Sequence, residues 1–126
     1  NNILVVDPNG KRTRLISGIV ENIGYNAVIF GSAGKALEVF VLQPEKFKMV
    51  IVHHSIGDMM PEDFVFEVNQ ADHTMPVIID VGYNNQTAAN EMGTVFGALK
   101  TVHLKTVILR ELPKTIRSLM KESASS

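Results

Sequence analysis

Short runs of aliphatic and β-branched residues alternate five times along the chain with segments in which apolar residues recur every three or four positions. The short runs are typical of strands, and the spaced segments are typical of amphipathic helices. The pattern predicts five strands, at Ile3–Val6, Ala27–Phe30, Met49–Val52, Pro76–Val81 and Thr101–Leu104. The first and third runs are apolar at every position, which favours parallel strands covered on both faces.

Capping signals place the ends of the intervening helices. Gly24 is expected to end the first helix, Ser32 to cap the second, and Pro61 to begin the third. The fourth helix is expected from about Thr87 to Phe96, and Pro113 is tolerable only in the first turn of the last helix. Five strand–helix units with short connections predict an α/β fold, a doubly wound five-stranded parallel sheet with helices on both faces in three layers.

Length and composition exclude several classes of protein. The chain has 126 residues, of which 45% are hydrophobic, and this fits one folded domain. Twelve basic and thirteen acidic residues give a net charge of −1, without the basic excess of a nucleic-acid-binding domain. No apolar run nears the roughly 20 residues of a membrane span. The chain has no cysteine, which fits a reducing cytoplasm.

The two ends of the chain suggest a piece of a longer protein. The first residue is not methionine, and the last residues are rich in serine. We therefore assign residues 1–121 to the domain and residues 122–126 to the start of a linker toward a further domain.

Candidate site residues follow from the predicted topology. In a doubly wound sheet, ligands bind beyond the carboxyl ends of the strands, near the point where the strand order reverses. The residues at those ends are Asp7, His53, Val81 and Lys105.

Several segments, in this order and spacing, resemble a bacterial two-component response-regulator receiver domain of the CheY-like kind. They are Ile3–Asp7, Arg12 with Leu15, Gly24-Tyr25, Ala36-Leu37, Pro76–Ile79, Gly97-Ala98 and Lys105–Val107. The resemblance runs from Ile3 to Met120 and implies the flavodoxin-like form of the sheet.

The resemblance also implies a phosphorylation site. In that family a strand-end aspartate accepts a phosphoryl group, further acids help to hold Mg²⁺, and a hydroxyl residue and a lysine hold the phosphoryl oxygens. Here the acceptor position falls on His53, the hydroxyl position on Val81, and the residue after Asp7 is Pro8. Only Asp7 and Lys105 match the pattern. We predict no catalytic residue, no Mg²⁺ cofactor, no metal site beyond Asp7 as a weak remnant, and a structural ion pair between Asp7 and Lys105.

Other roles for the histidines and for two acids stay open at this stage. His53 could carry a phosphoryl group or bind a metal ion together with Asp7. His54 is expected to point to the opposite face of the strand, so both rings can hardly face one ion. Asp58 and Asp80 are the alternative phosphoacceptors, as displaced acids.

We predict a degenerate, non-enzymatic, cytoplasmic receiver domain. It is expected to act without phosphorylation, as an interaction or dimerisation module that regulates a fused C-terminal effector, with transcription regulation as one outcome. The main alternative is a phosphoacceptor domain that a sensor histidine kinase phosphorylates. A third is an unrelated binder of a nucleotide or flavin, but only one glycine, Gly10, follows the first strand.

The resemblance implies that partners bind the face formed by the fourth helix, fifth strand and fifth helix. Its charged and polar members are Glu91, Thr94, Arg110, Lys114, Arg117 and Lys121. Rim charges contribute little each, so an apolar centre is needed, for which Val95, Val107 and Ile108 are the candidates. We expect no nucleic acid and no membrane as partner of this domain.

Overall fold

The computed structural model describes residues 1–97 and 103–125, with side chains as far as residue 121. Within these residues five strands alternate with five α-helices: β1 Asn2–Val6, α1 Gly10–Ile23, β2 Asn26–Phe30, α2 Ala33–Leu42, β3 Phe47–His53, α3 Pro61–Ala71, β4 Val77–Asp80, α4 Gln86–Phe96, β5 Leu104–Val107 and α5 Leu112–Ser125. Single 3₁₀ turns, at Pro44–Lys46 and Leu109–Glu111, precede β3 and α5. None of these described helices is long and apolar enough to cross a membrane.

The strands form one parallel sheet in the order β2-β1-β3-β4-β5. This confirms the predicted doubly wound sheet. The chain first winds outward from β1 to β2, then crosses to β3 on the other side of β1, so the strand order reverses between β1 and β3. The carboxyl ends of these two strands therefore flank the crevice in which such sheets bind ligands.

Each face of the sheet has its own apolar core, because side chains alternate along every strand. Leu4 and Val6 pack on the face covered by α2, α3 and α4, together with Phe40 and Phe64. The opposite core, under α1 and α5, is formed by Ile3, Val5, Ile16, Val20, Met49, Ile51, Ile78, Leu112, Ile116 and Leu119. The continuously apolar β1 and β3 are thus buried on both faces, as the pattern predicted.

The predicted helix ends are confirmed. Gly24 follows α1 in the left-handed conformation with φ of 107°, and its N–H bonds the carbonyls of Val20 and Glu21. The Ser32 side chain accepts from the N–H of Lys35 at the start of α2. Pro61 is the first residue of α3.

The prediction for the fifth strand is wrong in its position. The strand was expected at Thr101–Leu104, whereas β5 is Leu104–Val107; Thr101 and Val102 lie outside the described residues. The observed position follows from register, since Val107 pairs with Asp80 and the next two residues, Ile108 and Leu109, are buried against the sheet. Lys105 therefore lies within β5, opposite Ile78.

Candidate functional site

Asp7 follows β1 and is only 2% exposed. Arg12, on the first turns of α1, holds it with two parallel hydrogen bonds, Nε to Oδ2 at 2.8 Å and Nη2 to Oδ1 at 2.9 Å. The N–H of Asn9 donates to the same Oδ1 at 2.9 Å. Such a planar, two-pronged arginine–carboxylate contact is among the stronger pairings in proteins. Asp7 is therefore a paired carboxylate whose partners lie within its own β1–α1 turn.

The predicted ion pair between Asp7 and Lys105 is wrong. Lys105 is exposed in the middle of β5 and lies beside Glu111 and Lys114 on the flank of α5. The residue that follows the end of β5 is Ile108, which is 3% exposed. The expectation failed because it placed the strand three residues too early, and because Arg12 is close to Asp7 in sequence.

His53 is the last residue of β3 and is 5% exposed. Its Nδ1 accepts from the N–H of Ser55 at 3.1 Å, and its ring centre lies 4.5 Å from that of His54. Burial lowers the pKa of His53 to about 4, against the smaller opposing effect of Asp7. The ring is therefore neutral near pH 7.

Asp80 ends β4 and is 1% exposed. Its Oδ1 accepts from the N–H of Gly82 at 2.9 Å, in a turn where Gly82 adopts φ of 117°. Its Oδ2 is buried and has no hydrogen-bond partner among the described residues. Burial raises the pKa of Asp80, and the nearby charge of Asp7 acts in the same direction.

These three side chains meet at one edge of the sheet. One ligand atom from each of Asp7, His53 and Asp80 lies within 4.8 Å of the others. His53 and Asp80 are direct partners in the β3–β4 register, and the β1 end lies on the other side of β3. Sequence reasoning named all three residues but did not place Asp80 with the other two. The signal that could have joined them is the predicted parallel sheet, since the carboxyl ends of parallel strands meet at one edge.

Val81 lies directly after β4 and is 1% exposed. Its N–H donates to the carbonyl of Val107. Since an apolar side chain occupies this position, it supplies no hydroxyl to the edge of the sheet.

The residues at this edge do not fit the Mg²⁺ that the resemblance implies. Mg²⁺ requires near-octahedral oxygen ligands and dehydrates reluctantly. Both oxygens of Asp7 accept from Arg12, and with the N–H of Asn9 this leaves one lone-pair position for an ion. The next residue, Pro8, has no ligand atom in its side chain, and His53 presents nitrogen in place of a carboxylate.

Asp58 lies apart from this cluster, in the loop before α3. Its two oxygens accept from the N–H groups of Ala33, at 2.9 Å, and Gly34, at 3.0 Å. These amides are the first of α2, where the helix has no internal acceptors for them. Asp58 thus joins the β3–α3 loop to the N-terminus of α2, and these bonds lower its pKa.

Comparisons with known proteins place this geometry in context. No family model matches the sequence, and no curated protein matches it. The structure is similar to a response-regulator receiver domain protein from Clostridium thermocellum, with a TM-score of 0.77 and 19% identity over 98% of this chain and 96% of that one.

Two further solved structures agree. A CheY-like receiver domain protein from Methanospirillum hungatei JF-1 matches with a TM-score of 0.74 and 20% identity, covering 100% of this chain and 98% of that chain. The signal receiver domain of a putative LuxO repressor protein from Vibrio parahaemolyticus matches with a TM-score of 0.73 and 16% identity, covering 98% and 92%. The chain has the fold of the response-regulator receiver domains.

Proposed function

We propose that this chain is a non-catalytic, receiver-like signalling domain that takes no phosphoryl group at the usual acceptor position and acts by binding other proteins. The observation that carries the proposal is His53, buried at the carboxyl end of β3, where the resemblance to receiver domains puts the acceptor aspartate. A phosphodonor would have to reach a side chain that is 5% exposed.

The charges around His53 also oppose phosphoryl transfer. An incoming phosphoryl group is negative, and its transfer needs cations or donors aimed at its oxygens. Two buried carboxylates, Asp7 and Asp80, lie beside the ring. Arg12, a cation at this edge, is already bonded to both oxygens of Asp7. Lys105 lies within β5, two residues before its end.

Intact-mass measurement after incubation with acetyl phosphate and Mg²⁺ tests the proposal. We expect no stoichiometric gain of a phosphoryl group, while a receiver domain with an acceptor aspartate gains one under the same conditions. A stoichiometric gain would contradict the proposal. Peptide mapping would then distinguish a displaced acceptor, Asp58 or Asp80, from His53 itself.

The variant His53→Asp sharpens this test. It restores an acceptor carboxylate but neither a hydroxyl at Val81 nor a second acid at Pro8. We expect no labelling, because the charge of the transition state is still poorly compensated. Labelling of this single variant would mean that the neighbouring residues matter less than proposed.

The partner surface that we propose is formed by α4 and α5, with the loop that follows β4; we refer to it as the α4–α5 surface. Two of the three predicted apolar residues do not belong to it, since Val107 is 7% exposed and Ile108 is 3% exposed. Ile108 packs into the core under α2, α3 and α4, and Val107 packs into the core under α1 and α5. Both are buried because β5 lies later in the sequence than predicted. Val95 is 41% exposed on α4, and Tyr83 is 65% exposed in the loop.

The loop that carries Tyr83 is held in place by the 3₁₀ turn that precedes α5. The side chain of Arg110, just before α5, donates to Asn84, and the N–H of Leu109 donates to the carbonyl of Gly82. Tyr83 is thus an aromatic side chain on an anchored loop, a feature that suits the centre of an interface. Glu91 on α4 and Lys114 on α5 are exposed charges of the same surface, whereas Arg117 lies beside α1.

Sedimentation velocity over a range of concentrations tests whether this surface forms a homodimer. We expect wild-type protein to associate reversibly and the variant Val95→Glu to associate more weakly. The control is Leu42→Glu at the end of α2, a position that is 80% exposed. A wild-type protein that stays monomeric, or equal weakening by both variants, would contradict dimerisation through the α4–α5 surface.

We further propose that residues 1–121 form the regulatory domain and that residues 122–126 lead to an effector, or that a separate partner protein takes its place. The receiver domain of the putative repressor protein above is one example of such a domain in a regulator. A cytoplasmic location belongs to the same proposal, whereas a sensor histidine kinase is the upstream partner in the alternative, in which a displaced acid such as Asp58 or Asp80 is phosphorylated. Expression of the chain with and without the residues that follow it in the full-length protein, with the effector's activity measured, tests it.

A further inference from the structure

We propose that Asp7, His53 and Asp80 form a binding site for a divalent transition-metal ion such as Zn²⁺. One ligand atom from each side chain lies within 4.8 Å of the other two, and all three residues are buried. The site differs from an Mg²⁺ site because one ligand is an imidazole nitrogen, which favours ions such as Zn²⁺ over Mg²⁺. Three protein ligands with a remaining open position are common for zinc.

The unpaired oxygen of Asp80 is the observation that points to a ligand. Asp80 is 1% exposed, its Oδ1 is bonded to the N–H of Gly82, and its Oδ2 has no partner among the described residues. A buried polar atom without a partner is rare in native proteins because its desolvation is not compensated. A cation beside Oδ2 would compensate it.

The other two residues each have a ligand position left. A carboxylate offers about four lone-pair positions. Arg12 and the N–H of Asn9 together use three positions on Asp7, which leaves one on Oδ2. His53 is neutral, the form of imidazole that binds a metal ion.

Binding at His53 must break its contact with Ser55. The N–H of Ser55 now donates to Nδ1, so the proton of the neutral ring is on Nε2. If the metal binds Nδ1, it displaces the N–H of Ser55 from that lone pair. If the metal binds Nε2, the proton on Nε2 goes to solvent and Nδ1 gains one, so the ring stays neutral and Nδ1 can no longer accept. The Ser55 amide therefore reports metal binding through either nitrogen.

Arg12 opposes the metal ion, because its positive charge lies against Asp7. Its side chain is 30% exposed and can turn toward solvent. Zinc ligands lie about 2.0–2.2 Å from the ion, so the three atoms must also move closer together than their present spacing. Metal binding therefore requires side-chain rotation of Arg12 and of the three ligands at the edge of the sheet.

Zn²⁺ titration of the protein, stripped of metal with a chelator, tests the proposal. We expect one ion bound per chain, and we expect Asp80→Asn and His53→Gln to weaken binding by at least ~10-fold. The matched control is the double variant His73→Gln/His103→Gln, which removes histidines outside the cluster and should bind as wild type does. Arg12→Met should bind more tightly than wild type, because it removes the competing cation.

Two results would overturn the site. The first is wild-type protein that binds no Zn²⁺ stoichiometrically, or that loses binding in the control variant. The second is binding that His54→Gln abolishes while Asp80→Asn leaves it intact, which would place the ion on the other face of the strand. Where His53→Gln fails to fold, the Ser55 amide resonance of wild-type protein decides. It should shift as Zn²⁺ is added, and an unchanged resonance at saturating Zn²⁺ would exclude His53 as a ligand.

Discussion

The ends of β1 and β4 each carry a buried aspartate, but their surroundings differ. Asp7 is 2% exposed and Asp80 is 1% exposed. Asp7 accepts three hydrogen bonds, two of them from Arg12. Asp80 accepts one, from the N–H of Gly82, and its second oxygen is without a partner among the described residues.

This difference shows how local sequence decides whether a buried charge is compensated. The β1–α1 turn supplies Asn9 and Arg12 within five residues of Asp7, so the pairing forms as the helix begins. The turn after β4 continues with Val81 and Gly82, which offer one backbone donor and no side-chain donor to Asp80. A buried carboxylate with one free oxygen costs stability unless something else binds it. Both oxygens of Asp7 are therefore paired within its own turn, whereas one oxygen of Asp80 can still accept a further donor or a cation.

The variant Arg12→Met removes the difference between the two aspartates, because it leaves Asp7 with one hydrogen bond, as Asp80 has. The buried carboxylate of Asp7 would then keep only its bond from Asn9. We expect the free energy of unfolding to fall by about 3 kcal/mol, toward the lower end for a buried pair because Arg12 is partly in solvent. Urea unfolding monitored by circular dichroism, with metal removed, measures the change.

The control for Arg12→Met is the addition of Asp7→Asn in the same chain. Without the charge at position 7, the loss of Arg12 should cost much less, and the cycle of single and double variants gives the coupling energy. Equal destabilisation with and without Asp7→Asn would mean that Arg12 acts through its aliphatic packing alone.

The variant Asp80→Asn tests whether the unpaired carboxylate of Asp80 lowers the stability of the protein. The new amide oxygen can still accept from Gly82, while the uncompensated charge is removed. In the absence of metal we expect the free energy of unfolding to rise by about 1 kcal/mol. Asp80→Ala should gain less, because it also leaves the Gly82 N–H without its acceptor. A loss of stability in Asp80→Asn would show that the carboxylate is already compensated in solution.

The sequence predicted most of the fold because the fold depends on local signals. Apolar runs located β1 to β4, and Gly24, Ser32 and Pro61 located helix ends within a residue. The position of β5 was missed because its core-facing residues, such as Val107, are recognised only once β4 lies beside them. A strand of four residues with Lys105 inside it carries little periodicity of its own.

The site was only partly predictable for the same reason. Asp7 and His53 follow strands with clear patterns, so their places at the sheet edge could be inferred. The partner of Asp7 could not be inferred, because the sequence does not tell whether Arg12 or Lys105 lies closer to it in the folded chain. The grouping of Asp80 with His53 depends on the β3–β4 register, which the sequence does not specify.

Asp58 extends the comparison to an exposed carboxylate with two partners. Like Asp7, it accepts from more than one donor, but those donors are the N–H groups of Ala33 and Gly34, 25 and 24 residues away in sequence. Together with Ser32, which accepts from Lys35, it satisfies the amides at the start of α2. The negative charge also lies at the positive end of the helix, which favours its ionised form.

The smallest effect is expected for Asp58→Asn, and it depends on pH. Backbone hydrogen bonds, that of Gly34 first, lower the pKa of Asp58 in the folded protein below the value of about 3.9 in an unfolded chain. The folded state then binds fewer protons than the unfolded state, so the stabilisation is fully present above the unfolded pKa and is lost as the pH falls through the folded pKa. At pH 7 we expect Asp58→Asn to lower the free energy of unfolding by about 1 kcal/mol, as for loss of a helix cap. The difference between wild type and variant should shrink as the pH falls below about 4, and urea unfolding at a series of pH values measures it. A difference that stays constant across that range would mean that the charge of Asp58 contributes nothing, and that the variant is weaker only because its amide NH2 group cannot accept one of the two backbone hydrogen bonds.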